Sequence, residues 1–148
     1  MPHRTLKDIV GGRKLIEVPP DANVHDACAK MTERHVTAVL IVDKTGPMPM
    51  VQGIFTKRDL LRRVTLAGLE PSATPVSEVM TPSPFCMDGA RSGFEAVRLM
   101  REEKTRHVVV TGLDGGNFGV ISRRDILGQE LATFEKELDF ENKIWEEI

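Results

Sequence analysis

Apolar positions along the chain follow two periods. Val24, Ala27, Cys28 and Met31 recur at i, i+3, i+4 and i+7, which places them on one side of a helix and makes Cys28 a core-facing residue. Two short β-branched runs follow, VTAVLIV and MVQGIF, separated by the turn-prone DKTGPMPM, and they predict a pair of antiparallel strands. Leu60, Leu61 and Val64 then predict a second helix. The same succession returns downstream, with GFEAVRLM as a helix, HVVVT and NFGVI as strands around TGLDGGN, and Ile126, Leu127 and Leu131 as another second helix.

This succession is an internal repeat. GIFTKRDLLRRV (53–64) and GVISRRDILGQEL (119–131) stand at a constant offset of 66 residues, while VHDACAKM (24–31) matches GFEAVRLM (93–100) at an offset of 69. The three-residue difference falls in the turn, where length is free to vary. Each copy reads as β-α-β-β-α, so the fold class is mixed α/β (α+β). Copy one is set at residues 5–67, a glycine- and proline-marked linker GLEPSATP at 68–75, copy two at 76–131, and an amphipathic helix at 132–148. A copy of roughly 55 to 60 residues is marginal for burying its own core, so the two are expected to pack together, sheet to sheet. The last helix carries Leu131, Phe134, Leu138, Trp145 and Ile148 on an otherwise charged surface; this stripe needs a cover, either the domain itself or another chain.

Composition narrows the function classes. The 148 residues are 41% hydrophobic and 28% charged, enough for a real core. Net charge is -2, but residues 135–148 hold six acidic side chains against two lysines, which leaves the rest at +2; neither value calls for nucleic acid. No run approaches the roughly 18 to 20 apolar residues of a membrane span, and MPHRTLKDIV lacks a signal-peptide core, so a cytoplasmic location is expected. Cys28 and Cys86, with His3, His25, His35 and His107, show no metal-ligand or redox spacing. Glycines 112, 115, 116 and 119 lie between two strands, which fits a hairpin and not a phosphate loop. No serine or cysteine has a triad arrangement, and Arg62 and Arg63 fit a solvated helix face, so no enzymatic activity is expected.

The repeated strand-to-helix steps Thr56-Lys57-Arg58-Asp59 and Ser122-Arg123-Arg124-Asp125 admit two readings. In the first, a hydroxyl at the N-cap and a carboxylate at N3 form a capping box. In the second, the same helix start offers N–H groups and a positive dipole end to a phosphate, strengthened by Lys57, Arg58, Arg123 and Arg124. A carboxylate one turn in could then accept hydrogen bonds from both ribose hydroxyls. Phosphate and ribose together describe a nucleotide.

The doubled GIFTKRD and GVISRRD, with VPPDANVHDA, VTAVLIVD, RHVVV and the inter-repeat SEVMT, resemble the tandem CBS domains (cystathionine-β-synthase domains, paired as a Bateman module) over about residues 5 to 130. The resemblance implies two CBS repeats related by pseudo-two-fold symmetry. It also implies two clefts between them for AMP, ADP, ATP or relatives such as NAD or S-adenosylmethionine, as a regulatory ligand and not a catalytic cofactor. By resemblance Asp125 holds the ribose and Ser122 the phosphate in one cleft, with Ile16, Thr37 and Ala38 against the adenine and Arg106 near phosphate. Asp59 and Thr56 serve the second cleft, lined by Phe85, Thr105 and the Met80-Thr81 step. A homodimer and a regulated enzyme or transporter are the implied partners. Copy two departs from the pattern, with Gly89 for Pro20, Ala90 for Asp21 and Gly93 for Val24, so the cleft built on its first strand is expected to be altered or empty. The competing reading is a dimerisation module whose motifs survive only as helix caps.

Overall fold

The computed structural model describes residues 4–13, 16–126 and 128–147, with the side chains of residues 129 and 147 left out. These residues divide into two compact units, one within Lys14–Pro84 and the other combining Met1–Arg13 with Phe85–Ile148.

In the first unit a strand β1 (Glu17–Val18) leads to helix α2 (Val24–Glu33), then to β2 (Ala38–Asp43) and β3 (Met50–Thr56), and β4 (Thr81–Pro82) completes the sheet in the order β1-β2-β3-β4. β1 runs parallel to β2, as a helical crossover requires, and β2–β3 is the expected antiparallel hairpin. Register shifts between Ile41 and Val42, which makes a β-bulge at the bend of the hairpin. Val24, Ala27 and Met31 of α2 pack with Val39, Ile41 and Phe55, and Cys28 sits at the edge of this core. α2 begins where Asn23 accepts from the Asp26 N–H at 2.8 Å, an N-cap that fixes the first turn.

After β3 the chain enters a short helix α3 (Lys57–Asp59) that widens at once into i→i+5 turns over Leu60–Thr65. Val64 is buried by this turn, whereas Leu61 stays 55% exposed. β4 lies so close to β3 that a Cβ at Gly53 would meet the Met80 Cγ at 2.8 Å and the Thr81 carbonyl oxygen at 2.9 Å. Gly53→Ala is therefore expected to cost about 1–3 kcal/mol of stability, read as a lower urea midpoint, because a backbone oxygen has to move. An unchanged midpoint would show that β4 does not close on Gly53.

The second unit repeats the plan with β5 (Cys86–Asp88) parallel to β6 (His107–Thr111), which is antiparallel to β7 (Gly119–Ser122), and with α4 (Gly93–Glu102) as the crossover. Its core joins Ala96, Val97 and Met100 of α4 to Val108, Val110 and Ile121 of the sheet.

The compact units do not coincide with the sequence repeats at two leading segments. The helix α1 (Leu6–Val10) lies in the core of the second unit, where Leu6 is fully buried, and not with copy one. Conversely, the 3-10 turn Val76–Glu78 and β4, read as the start of copy two, lie in the first unit, where Val76 is fully buried. The two lead segments are docked in the same way: Thr5 bridges to Ser92, the N-cap of α4, and Pro75 bridges to Asn23, the N-cap of α2. LKDIV and VSEVM are thus equivalent leads, each packed on the unit of the other copy's strands.

The docking of α1 explains the glycines peculiar to copy two. The N–H groups of Leu6 and Lys7 donate to the carbonyls of Arg91 and Gly89, and the Gly93 N–H donates to the Arg4 carbonyl at 2.8 Å. A Cβ at Gly93 would stand 3.0 Å from Ile9 Cδ1, so the glycine makes room for the lead helix.

The second helix of copy two also departs from the expectation. A single 3-10 turn, Arg123–Asp125, ends at Ile126, whose backbone is extended (φ -82, ψ 128), and α5 starts anew at Gly128 and runs to Glu147. Ile126 still joins the core, now as the residue at the break, while Leu127 and Ile148 lie outside the described residues. Phe134 and Leu138 of α5 are buried in the second unit, so this unit itself covers the first half of the stripe; Trp145 remains 74% exposed.

Candidate functional site

The hydroxyl-x-x-aspartate pattern forms the same device in both units. Thr56 and Ser122 are the last extended residues of their strands and the N-caps of the helical turns that follow. In the first unit Asp59 Oδ2 accepts from the Thr56 N–H at 2.9 Å and from its hydroxyl at 3.1 Å. In the second, Asp125 Oδ2 accepts from the Ser122 N–H at 2.7 Å and from its hydroxyl at 3.2 Å. The capping-box reading of the motif is therefore realised in both copies.

The helix starts themselves offer less to an anion than the sequence suggested. The Lys57 N–H donates to the Thr37 carbonyl and the Arg123 N–H to the Arg106 carbonyl, each at 3.1 Å, and the Asp59 N–H returns to the Thr56 hydroxyl at 3.4 Å. Each helical piece is also only three residues long before its geometry changes, so little dipole accumulates.

One oxygen of each carboxylate is fixed by the cap, so the other decides what the site can do. Asp59 Oδ1 accepts from the Thr81 hydroxyl at 3.0 Å and lies 3.6 Å from Arg63 Nε; the Arg63 Nη1 is itself held by the Met80 carbonyl at 2.6 Å. With its side chain 9% exposed, Asp59 is enclosed by its own unit. Asp125 Oδ1 accepts from Arg13 Nη1 at 2.7 Å, and the carboxylate keeps 23% of its side-chain surface open. The two motifs look identical in sequence, but one carboxylate is sealed and the other is reachable.

The remaining expected site residues distribute as follows. Ile16, Thr37, Ala38, Thr56, Lys57, Arg58 and Asp59 belong to the first unit. There Ala38 pairs with Thr56, and the buried Ile16 accepts through its carbonyl from the Leu40 N–H. Thr81, named with Met80 as a lining residue, reaches Asp59 directly. Phe85, Thr105, Arg106, Ser122, Arg123, Arg124 and Asp125 belong to the second unit. Phe85 is 40% exposed and its carbonyl accepts from Val109; the Thr105 hydroxyl donates to the His107 carbonyl at 3.3 Å. The Arg123 guanidinium is ion-paired to Glu135 of α5 and the Arg124 side chain is exposed. Arg13 was not named from the sequence, and Arg63, read there as part of a solvated helix face, instead reaches Asp59 and the Met80 carbonyl. Arg63 could have been found from its i, i+4 spacing to Asp59, whereas Arg13 lies 112 residues from Asp125 and gives no local signal.

An open groove of 750 Å³ sits at the other end of the β2–β3 hairpin, lined by Glu17, Asp21, Asp43, Lys44 and Gln52 among others. Glu17 is paired with Lys44, and the Thr45 hydroxyl and N–H hold the Asp43 carboxyl below the usual carboxylate range. Burial pushes the Cys28 and Cys86 thiols up, away from the thiolate a nucleophile needs. Among the described residues no three His, Cys, Asp or Glu side chains are grouped to hold a metal, and no helix is long and apolar enough to cross a membrane.

A family model described as the CBS domain matches twice, at residues 6–66 and 76–131. The chain belongs to the CBS domain family. Among relatives, the CBS domain-containing protein CBSCBSPB3 of Arabidopsis thaliana is 36% identical over 97 residues, which is 66% of this chain. The chain spans 17% of the length of that relative. The mitochondrial CBSX3 of the same plant is 30% identical over 120 residues, 80% of this chain and 57% of the relative. Among solved structures, a protein with CBS domains from Burkholderia ambifaria has a TM-score of 0.70 at 32% identity, covering 82% of this chain and 89% of its own. A CBS domain protein from Pyrobaculum aerophilum, complexed with AMP, has a TM-score of 0.74 at 23% identity, covering 87% and 98%. The tandem of two repeats and the mixed α/β fold are those of CBS pairs, which are typically regulatory and generally not catalytic.

Proposed function

We propose that this CBS pair is a regulatory module that binds an adenosine nucleotide, with Asp125 as the ribose-binding carboxylate. The observation that carries this reading is the division of labour within Asp125: the cap fixes Oδ2, and Oδ1 is left to a partly open surface where its partner is the half-exposed Arg13. A carboxylate held in this way is pre-organised to accept hydroxyl donors without losing its own support. Ser122, Arg106, Arg123 and Arg124 supply the hydroxyl and positive charge for the phosphate. The adenine contacts assigned by resemblance to Ile16, Thr37 and Ala38 belong to the same proposal. So does a second, weaker set at Thr56, Lys57, Arg58, Asp59, Phe85 and Thr105. The AMP found on the Pyrobaculum relative supports the ligand class.

Scanning calorimetry with AMP, ADP, ATP, NAD and S-adenosylmethionine tests this. A ligand present at 100 times its Kd adds about 2.7 kcal/mol to the native state, and the melting temperature should rise accordingly. Asp125→Ala should lose that rise while still folding. If no adenosine ligand moves the transition of the wild-type chain, the motifs act as caps alone and the dimerisation reading takes precedence.

A further inference from the structure

Arg13 is the feature that neither the motif nor the family resemblance anticipates. Its guanidinium makes three contacts at once: Nη1 to Asp125 Oδ1 at 2.7 Å, Nε to the Val10 carbonyl at 3.2 Å and Nη2 to the Ile9 carbonyl at 3.5 Å. The two carbonyls terminate α1, so the arginine is tethered to the end of a helix whose Leu6 is buried in the same unit. Half of its side chain is nevertheless exposed, at 49%. The corresponding oxygen in the first unit is covered differently, by the neutral Thr81 hydroxyl, with Arg63 farther off at 3.6 Å.

We propose that Arg13 makes the Asp125 site selective for adenosine ligands that carry a 5′-phosphate. This rests on the reading of Asp125 as the ribose-binding carboxylate. A ribose that takes Oδ1 must displace the guanidinium from it. A neutral nucleoside exchanges the ion pair for hydroxyl bonds to the carboxylate and returns the half-exposed arginine to water with no anion in its place, so it gains less than a ligand that supplies one. A phosphorylated ligand brings a new anion with it. Because the guanidinium is tethered by Ile9 and Val10, it cannot leave the neighbourhood and turns from the carboxylate to the phosphate. S-adenosylmethionine, which carries a cation near the same end of the ribose, is disfavoured for the same reason. AMP, ADP, ATP and NAD all satisfy the requirement.

Isothermal titration of AMP and adenosine into the full chain, wild type against Arg13→Gln, tests this. Wild type should bind AMP at least 100-fold more tightly than adenosine. Arg13→Gln should weaken AMP and hold or tighten adenosine, so the ratio falls at least tenfold. Arg13→Lys, which keeps the charge but cannot brace on two carbonyls, should fall between the two, and it carries the test if the glutamine variant does not fold. A wild-type chain that binds AMP and adenosine equally, or a ratio unchanged in either variant, overturns the role of Arg13 and leaves the nucleotide reading standing. A wild-type chain that binds neither ligand overturns both.

Discussion

Replacing Asp59 by alanine should cost about 3 kcal/mol in the absence of ligand, against about 1–2 kcal/mol for Asp125→Ala, although the two residues occupy the same place in the repeated motif. Asp59 takes four donors from its own unit: the Thr56 N–H and hydroxyl, the Thr81 hydroxyl and, at longer range, Arg63. Removing the carboxylate leaves the Thr56 N–H and the Thr81 hydroxyl without their acceptor in a largely enclosed place, which adds a desolvation penalty to the lost bonds. It also severs the tie between α3 and β4. Asp125 loses the same cap, but its other partner Arg13 is half exposed and regains water. For a chain of this size the loss of about 3 kcal/mol corresponds to a melting temperature lower by roughly 6–12 °C for Asp59→Ala. Equal losses in urea titrations would contradict the contrast between a sealed and a reachable carboxylate.

That contrast marks the limit of what the residues disclose by themselves. The repeat, its strand-helix succession and the capping boxes follow from local patterns: apolar spacing in α2 and α4, β-branched runs in β2 and β6, and a hydroxyl three residues before an aspartate. The exchange of lead segments was hidden because LKDIV and VSEVM are too short for periodicity to assign them to a core. Nothing in the order of the chain says that Leu6 is buried with Val108 and Ile121. Once that exchange is known, Gly93 has a reason: it accommodates α1, where a Cβ would stand 3.0 Å from Ile9, while a Cβ at Gly89 would crowd Leu113 at 3.1 Å. The outer partner of each carboxylate depends on the same exchange. Thr81 arrives on one lead segment, and Arg13 follows directly from the other. The break at Ile126 was concealed for a different reason, since its apolar side chain fits a helical stripe equally well whether the backbone is helical or extended.

Phe134→Ala should be the most damaging single change in α5, at about 3–5 kcal/mol, and Trp145→Ala should stay within about 0.5 kcal/mol of wild type. Both are aromatic and both belong to the apolar stripe read from the sequence, so the size of the side chain does not separate them. Phe134 is 3% exposed and meets Phe94 edge to face, with ring centroids 5.5 Å apart, and Arg98 stands 4.9 Å over the Phe94 ring. Trp145 is 74% exposed. Their difference follows from helix length: α4 has 10 residues and α5 has 20, so at about 1.5 Å per residue the second helix outruns the first by roughly 15 Å. Among the described residues the ion pairs farthest along α5 that tie it to α4 are Arg101 to Asp139 at 2.7 Å and Arg98 to Glu141 at 2.9 Å; Phe140, between these acidic partners, and Ile144 and Trp145, beyond them, are exposed. Urea unfolding of the two variants checks this directly. A loss at Trp145 comparable to that at Phe134 would mean that another surface covers the end of α5 in solution, and the loss should then grow weaker as the protein is diluted.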